Sequence, residues 1–415
     1  MKILAVNNFF NSSGGSEKIM IKEAEMLERK GHSVYYFATN KPPLLDENYT
    51  YLSEFVEYPD LTKKTTLQKQ KYFLQTLYNA QTEDKMQSIL DKVRPDIVHI
   101  HNFNIFLTLA LLKPLLNNNI PVVRTIHDAV SLCPQGLYML KNEVYCEKHL
   151  CTSGNILPCL QYKCKDDKYF SSLKAAIRFL YNKHSLLAQR IDHYICPSEI
   201  IANLAICSGI KEEKISVISN FCEENILKSY TNENHQKYLL CIARFTRNKG
   251  VDVLIQAMKL VSPEIKLHIV GSGPEEERLK ALVSKLELKN IEFTGHLESD
   301  KLIKQYQNAL AVVVPSITME SFGLTVVEAF AAGKPVIATN IGALPELVKD
   351  NVTGLCVAPS SPEQLANAIS ELSENPKKAH RMGLNAREAA QKYYSPQIYG
   401  QKILELFEQL IKLKS

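Results

Sequence analysis

The chain has 415 residues, 45% hydrophobic and 22% charged, an ordinary globular balance at a length that favours two domains over one. This excludes a disordered or collagen-like chain. The longest nearly apolar stretch, Phe103 to Leu116, is broken by Thr108, Lys113 and Pro114 and falls short of the roughly 18 to 20 apolar residues of a membrane span. Charge is +5, and the whole excess lies in residues 1–195 (24 basic against 19 acidic), which suits an anionic ligand or surface near that half. Trp is absent and no basic tract carries interleaved aromatics, which argues against a nucleic-acid partner.

In chain order, Met1 to Asn7 enters a strand-like run without the basic start, apolar core and cleavage site of a secretory signal, so a cytoplasmic protein is expected. Lys2-Ile3-Leu4-Ala5-Val6 reads as a buried strand, Asn11-Ser12-Ser13-Gly14-Gly15-Ser16 as a loop, and the pattern through Ile19, Met20, Ala24 and Leu27 as a helix ended by Gly31. Val34–Phe37, Ile97–Ile100 and Val122–Ile126 continue as strands. Tyr238–Ala243 opens a second copy of this arrangement, followed by a helix from Val251 to Leu260 and strands at 267–270, 291–293, 311–314 and 336–338. Short β-branched strands separated by helical patterns require parallel sheets. The polar run Thr231 to Gln236 reads as a linker, and Tyr399, Ile403, Leu406, Phe407, Leu410 and Leu413 trace one face of a final helix.

The chemistry concentrates after the strands. Glu320-Ser321-Phe322-Gly323-Leu324-Thr325 leads into a helix carrying Glu328, so both carboxylates fall near the carboxyl edge of a sheet, where open α/β sheets bind ligands. The N–H groups of Gly323, Leu324 and Thr325 open that helix and suit anionic or hydroxyl oxygens. Arg244 and Lys249 follow the strand at 238–243, and Gly271-Ser272-Gly273-Pro274 follows the strand at 267–270. Gly14-Gly15 lacks the dinucleotide fingerprint, which weighs against an NAD-dependent enzyme. His99 reads as a structural residue in mid-strand, while His101, His127 and Asp128 stand at or beyond strand ends.

The spacing Glu320-x7-Glu328, with Phe322-Gly323 between and Ala331-Ala332-Gly333-Lys334-Pro335-Val336 after, resembles the retaining GT-B glycosyltransferases of family GT4. The likeness extends through Gly342–Val348 and Asp350–Leu355 and, with the Gly-Gly-Ser-Glu loop, covers essentially the whole chain. It implies an α/β GT-B fold, two Rossmann-like doubly wound domains facing across a cleft. The boundaries are 1–219 for the acceptor domain, with a Cys-rich insertion near 133–164, 220–394 for the donor domain, and 395–415 for a helix returning to the first.

The resemblance further implies transfer of a sugar from a nucleotide-diphosphate donor to a saccharide or lipid-linked saccharide, in surface polysaccharide assembly. It places Glu320 on the donor sugar hydroxyls and Glu328 on the ribose, makes Arg244 and Lys249 the cations for the leaving diphosphate, and puts His127 beside the reacting carbon. Gly14 and Gly15, Gly271 and Gly273, and His296 and Leu297 then fall on the nucleotide side, and His101 and Asp128 on the acceptor side. Such a transferase works by positioning and electrostatics. No Asp-x-Asp occurs, so no catalytic metal is indicated. A nucleotide-sugar epimerase of similar fold and a noncatalytic assembly partner are the competing readings.

Two segments remain. Cys146, Cys151, Cys159 and Cys164, with Cys133 and His149 nearby, offer soft ligands for a structural zinc, although the spacing is not Cys-x2-Cys; a redox role and free packing thiols stay open beside it. Lys168 to Arg190 combines basic and apolar residues, as a helix on an anionic membrane or one packed on the sheet would.

Overall fold

A computed structural model describes residues 1–11, 14–40, 53–57, 72–103, 106–140, 144–230, 238–297 and 299–414. Ser12 and Ser13 of the first loop and the linker run 231–236 lie outside them. The chain divides into two compact units, Met1–Ile218 with Gly400–Ser415, and Ser219–Tyr399.

In the first unit the strands are β1 (Lys2–Phe9), β2 (Ser33–Thr39), β3 (Ser53–Val56), β4 (Ile97–Ile100), β5 (Val122–Thr125), β6 (His193–Cys196) and β7 (Ile215–Val217). They pair all-parallel in the order β3-β2-β1-β4-β5-β6-β7. The helices of eight residues or more described here are α1 (Gly15–Arg29), α2 (Ala80–Val93), α3 (Tyr169–His184) and α4 (Glu199–Cys207). Helices on both faces explain why β1 and β4 are buried almost throughout rather than at alternate residues.

The second unit repeats the plan with β8 (Tyr238–Ile242), β9 (Leu267–Val270), β10 (Ile291–Gly295), β11 (Ala309–Val314), β12 (Val336–Thr339) and β13 (Gly354–Val357), ordered β10-β9-β8-β11-β12-β13 and parallel throughout. Its helices of that length are α5 (Val251–Met258), α6 (Glu276–Lys285), α7 (Ser299–Asn308), α8 (Leu324–Ala331), α9 (Pro362–Glu374) and α10 (Pro376–Tyr393). One face of this sheet packs Leu239, Val313 and Ile337 against Leu254 and Ile255 of α5 and Leu365 and Ile369 of α9.

The last helix, α11 (Pro396–Lys414), brings Ile403 and Phe407 into the core of the first unit. Phe407 meets the His99 ring edge-on with centroids 5.4 Å apart, and Lys414 Nζ reaches Asp192 at 2.7 Å. In each unit the chain winds outward one way from the first strand and then the other, which puts a topological switch between β1 and β4 and between β8 and β11. Ligand crevices of doubly wound sheets open at the carboxyl ends of such strand pairs.

Candidate functional site

At the second unit's switch point, Lys249 Nζ lies 2.6 Å from Glu320 Oε1, and the Ser316 hydroxyl donates to the same oxygen. β8 delivers Lys249 through a short 3-10 turn, and β11 delivers Ser316 and Glu320 through the loop that follows it. Glycine makes this approach possible. Gly342 has φ 58°, and a Cβ there would lie 2.5 Å from the Glu320 carbonyl oxygen, while a Cβ on Gly271, φ 138°, would lie 1.9 Å from that of Ala243. The loop after β9 therefore closes onto the loop after β8, and the loop after β12 onto the loop after β11, only as bare backbone.

Helix α8 begins at Leu324, two residues later than Phe322, with Gly323 as its N-cap at φ 113°. No side chain caps it and no acidic residue occupies its first turn, so its N-terminal dipole is uncompensated by its own residues. Phe322 is buried ahead of the helix, and Gly323, Leu324 and Thr325 keep partial exposure. Glu328 is buried further along, where its Oε2 accepts the Tyr306 hydroxyl at 2.8 Å. Burial and the adjacent Glu328 push the Tyr306 hydroxyl well above its ordinary range. Arg244 is exposed and makes no ion pair among the described residues, whereas Arg247 is taken up by Glu275 at 3.3 Å. His296 is exposed and Leu297 half-buried just beyond β10. A groove of about 740 Å³ opens at the amino ends of β9 and β10, among Glu264, Lys266 and Asn290, and holds none of these residues.

The first unit's switch point carries a buried network. His99 on β4 sits between Glu23 Oε1 at 2.7 Å and Thr125 Oγ1 at 2.8 Å. A carboxylate only accepts, so His99 Nδ1 donates to Glu23. His101 points its Nε2 at the same oxygen from 3.5 Å and joins its Nδ1 to His127 Nε2 at 3.1 Å, with the two rings stacked. A bare Nε2 lone pair facing a carboxylate would be repelled, so His101 carries its proton there and accepts at Nδ1. His127 then donates from Nε2, leaving its Nδ1 as the proton-free nitrogen.

Burial lowers His101 to about 4, with His99 beside it adding to the shift, and burial with the neighbouring histidines holds His127 well below its ordinary value. Both are neutral at pH 7. Burial alone would raise the Glu23 carboxyl, but His99 and His101 outweigh it and keep it ionised. The ligand atoms of Glu23, His99 and His101 fall within 4.8 Å of one another. The 2.7 Å His99–Glu23 contact is nevertheless shorter than the roughly 3.3 Å edge of a tetrahedral zinc site built on ~2.0 Å bonds. It is a direct hydrogen bond.

Other residues proposed from the sequence serve the loops around this network. Asp128 accepts from the Val130 backbone at 2.9 Å and from Asn102 at 3.2 Å, which makes it an N-cap, and burial raises its carboxyl. Gly14 precedes α1 in extended conformation, and a Cβ on it would lie 2.2 Å from Glu17 Oε2. The N-terminus of α1 thus already faces a carboxylate of its own, one that any diphosphate would have to move. Glu17 entered the sequence reading only within the Gly-Gly-Ser-Glu loop, and Glu23 had no part in it. Glu23 had a visible signal, since it falls four residues from both Ile19 and Leu27 on the buried face of α1.

Helix α3, over the basic segment Lys168 to Arg190, packs Ser172, Ala175, Ala176 and Phe179 inward and leaves Phe170 and Ile177 outside. Its inner side helps to enclose a cavity of about 570 Å³ lined by Arg124, Arg178 and Lys183 together with Phe103 and Phe179. The Arg124 guanidinium lies 4.3 Å from the centre of the Phe103 ring. No helix among the described residues is long and apolar enough to cross a membrane.

Residues 13–225 match the family described as Glycosyltransferase Family 4, and residues 223–389 match Glycosyl transferases group 1. The chain is 29% identical over 301 residues to an uncharacterised glycosyltransferase of Methanocaldococcus jannaschii, spanning 71% of this chain and 70% of that one. It is 27% identical over 359 residues to an uncharacterised 42.6 kDa protein in the cps region of Klebsiella pneumoniae, spanning 84% and 87%. The crystal structure of Anabaena HepE (Alr3699) in complex with UDP superposes with a TM-score of 0.71 over 99% of this chain and 100% of that one, at 19% identity, a likeness of fold. Two parallel doubly wound sheets of matching fold, joined to a family match over half the length, establish that the chain belongs to glycosyltransferase family 4 and is a glycosyltransferase of GT-B fold.

Proposed function

We propose that this enzyme is a retaining, metal-independent transferase that moves a sugar from a nucleotide diphosphate to a saccharide or lipid-linked saccharide in surface polysaccharide assembly. The observation that carries the reading is the Lys249–Glu320 pair at the carboxyl end of β11, next to an uncapped helix N-terminus. As the glycosidic bond to phosphate breaks, negative charge grows on the diphosphate. Lys249, Arg244 and the N–H groups opening α8 stabilise that charge. Glu320 accepts from sugar hydroxyls and Glu328 from the ribose. His127, a neutral imidazole, acts at the sugar near its reacting carbon. Retention follows from same-face attack, with the donor phosphate oxygen taking the acceptor proton, so no protein nucleophile is needed.

UDP in the HepE structure favours a nucleotide-sugar donor. The cavity bounded by Arg124, Arg178 and Phe179 mixes cationic and apolar walls and suits an acceptor with a phosphate and a lipid tail. Such an acceptor would bring the enzyme to the inner face of the cell membrane as a peripheral protein.

A thermal-shift panel of UDP, GDP, ADP, CMP and dTDP sugars tests the reading. A ligand at about one hundred times its dissociation constant adds about 2.7 kcal/mol. One nucleotide should stabilise the wild type, and turnover of its sugar should persist in EDTA and fall about 10²-fold in Glu320→Gln and Lys249→Ala with folding intact. A flat panel, with Glu320→Gln indistinguishable from wild type, would replace this reading by that of a noncatalytic assembly partner.

A further inference from the structure

A second constellation lies outside the transferase site. Cys133, Cys146, Cys151, Cys159 and Cys164 all line one void of about 10 Å³ beside Tyr138 and Leu150. That is room for about one water or ion. Four of the five are buried, and Cys164 is half-buried. The cluster therefore gathers Cys133 with the four cysteines singled out by spacing.

The backbone is arranged around these sulfurs. The Cys146 N–H bonds to the Tyr138 carbonyl at 2.7 Å, the His149 N–H to the Cys146 carbonyl at 3.0 Å and the Gly154 N–H to the Cys151 carbonyl at 2.9 Å, so a series of tight turns presents the sulfurs to the void. The Cys164 N–H bonds to the Cys159 carbonyl at 3.1 Å, closing a turn that keeps both residues on the same void.

The segment also lacks another means of holding its shape. From Cys133 to Lys168 the described residues form one five-residue helix, Leu157–Gln161, and a single bridge between Met139 and Tyr145. Tyr138, His149, Lys163, Asp166 and Asp167 all have positive φ, half of such non-glycine residues described. Backbone of this kind persists only where something over-determines it. A loop of this length inside a compact domain needs a staple.

We propose that four of these five cysteines, as thiolates, bind one zinc-class divalent cation that fixes the loop following Asp128. Thiolate sulfur selects such an ion over magnesium or calcium, and four protein ligands close its coordination, so the ion is structural. Each ligating thiol releases its proton to solvent. No three of the sulfurs lie within 4.8 Å of one another among the described residues, so the loop contracts around the ion as it binds.

The test is elemental analysis of the full chain, purified under reductant without chelator, with zinc release followed as a mercurial reagent titrates the thiols. One zinc per chain, freed only with the thiols, is expected. Protein grown on cobalt should show thiolate-to-cobalt charge-transfer bands and tetrahedral d–d bands. Cys146→Ser/Cys159→Ser should lose both, and Cys207→Ser, at an exposed cysteine outside the cluster, should lose neither. Zinc near zero with all five thiols alkylated in the native chain would overturn the proposal. So would iron with acid-labile sulfide, or full zinc retained by the double variant. The cobalt spectrum of the wild type decides the matter even if the double variant does not fold.

Discussion

Replacing Glu23 by Ala removes the acceptor on which the first unit's histidine network ends. In the native protein that carboxylate is 3% exposed and accepts a hydrogen bond from His99 Nδ1 at 2.7 Å, on an imidazole with no exposure at all. Truncation leaves the His99 N–H facing the space of the lost carboxylate. A buried donor left without an acceptor costs about 1–3 kcal/mol, and the upper end applies here because the lost acceptor is ionised. A loss of about 3 kcal/mol is therefore expected. In a unit of this size each kcal/mol moves the unfolding midpoint about 2–4 °C, so calorimetry should find it about 6–12 °C lower. Hydrogen exchange over Ile97–Ile100 would locate the change in the first unit. Glu23→Gln keeps an oxygen for His99 and should cost only about 1 kcal/mol. The reasoning fails if Ala is within about 0.5 kcal/mol of wild type, the scale of an ordinary surface substitution, or if Gln is as damaging as Ala.

The same network predicts acid sensitivity. Burial depresses His101 from 6.5 to about 4 and His127 in the same direction, so as pH falls through this window the unfolded chain binds protons that the folded chain refuses. Stability present above pH 6.5 is then lost toward pH 4, by about 2 kcal/mol at pH 5 from His101 alone. Equal urea midpoints at pH 7 and pH 5 would contradict it. In the second unit, Gly342→Ala should cost well over ~1 kcal/mol and impair transfer, because its Cβ meets the Glu320 backbone. Gly209→Ala, at φ 96° with nothing within 4 Å, should carry the backbone strain alone, and equal unfolding and turnover in the two variants would remove the packing argument. Phe170 and Leu186 are 76% and 78% exposed, so Phe170→Ser/Leu186→Ser should weaken flotation with anionic liposomes. Unchanged flotation would dismiss this face as a membrane contact.

The central strands were legible in the sequence because strands buried on both faces must be apolar throughout, as Leu239–Ile242 and Ala309–Val314 are. The strands that escaped are β3, β6, β7 and β13. Three of them are poor in apolar residues or very short: Ser-Glu-Phe-Val, Ile-Ser-Val and Gly-Leu-Cys-Val are held by a neighbour's hydrogen bonds rather than by their own patterning. In β6, His193 and Tyr194 disguise a strand that is nonetheless almost wholly buried. Arg244, Lys249 and Glu320 could be found because each lies in the loop after a strand, and Glu328 because it stands on the helix that this last loop opens. His99 was placed correctly in mid-strand, but its bond to Glu23 joins residues 76 positions apart, a pairing that only the packing of α1 against the sheet creates.

In the proposed donor site Lys249 and Glu320 are paired with one another, and Ser316 holds that carboxylate in place. Lys249 keeps 30% of its side-chain surface and Glu320 16%, so water screens the pair and its net worth is about 0–1 kcal/mol. On the proposed reading, an arriving diphosphate would give up little by taking the Lys249 ammonium, and the sugar hydroxyls would supply Glu320 with replacement donors. Both groups are thus held near the geometry they need, at little cost to the binding that follows.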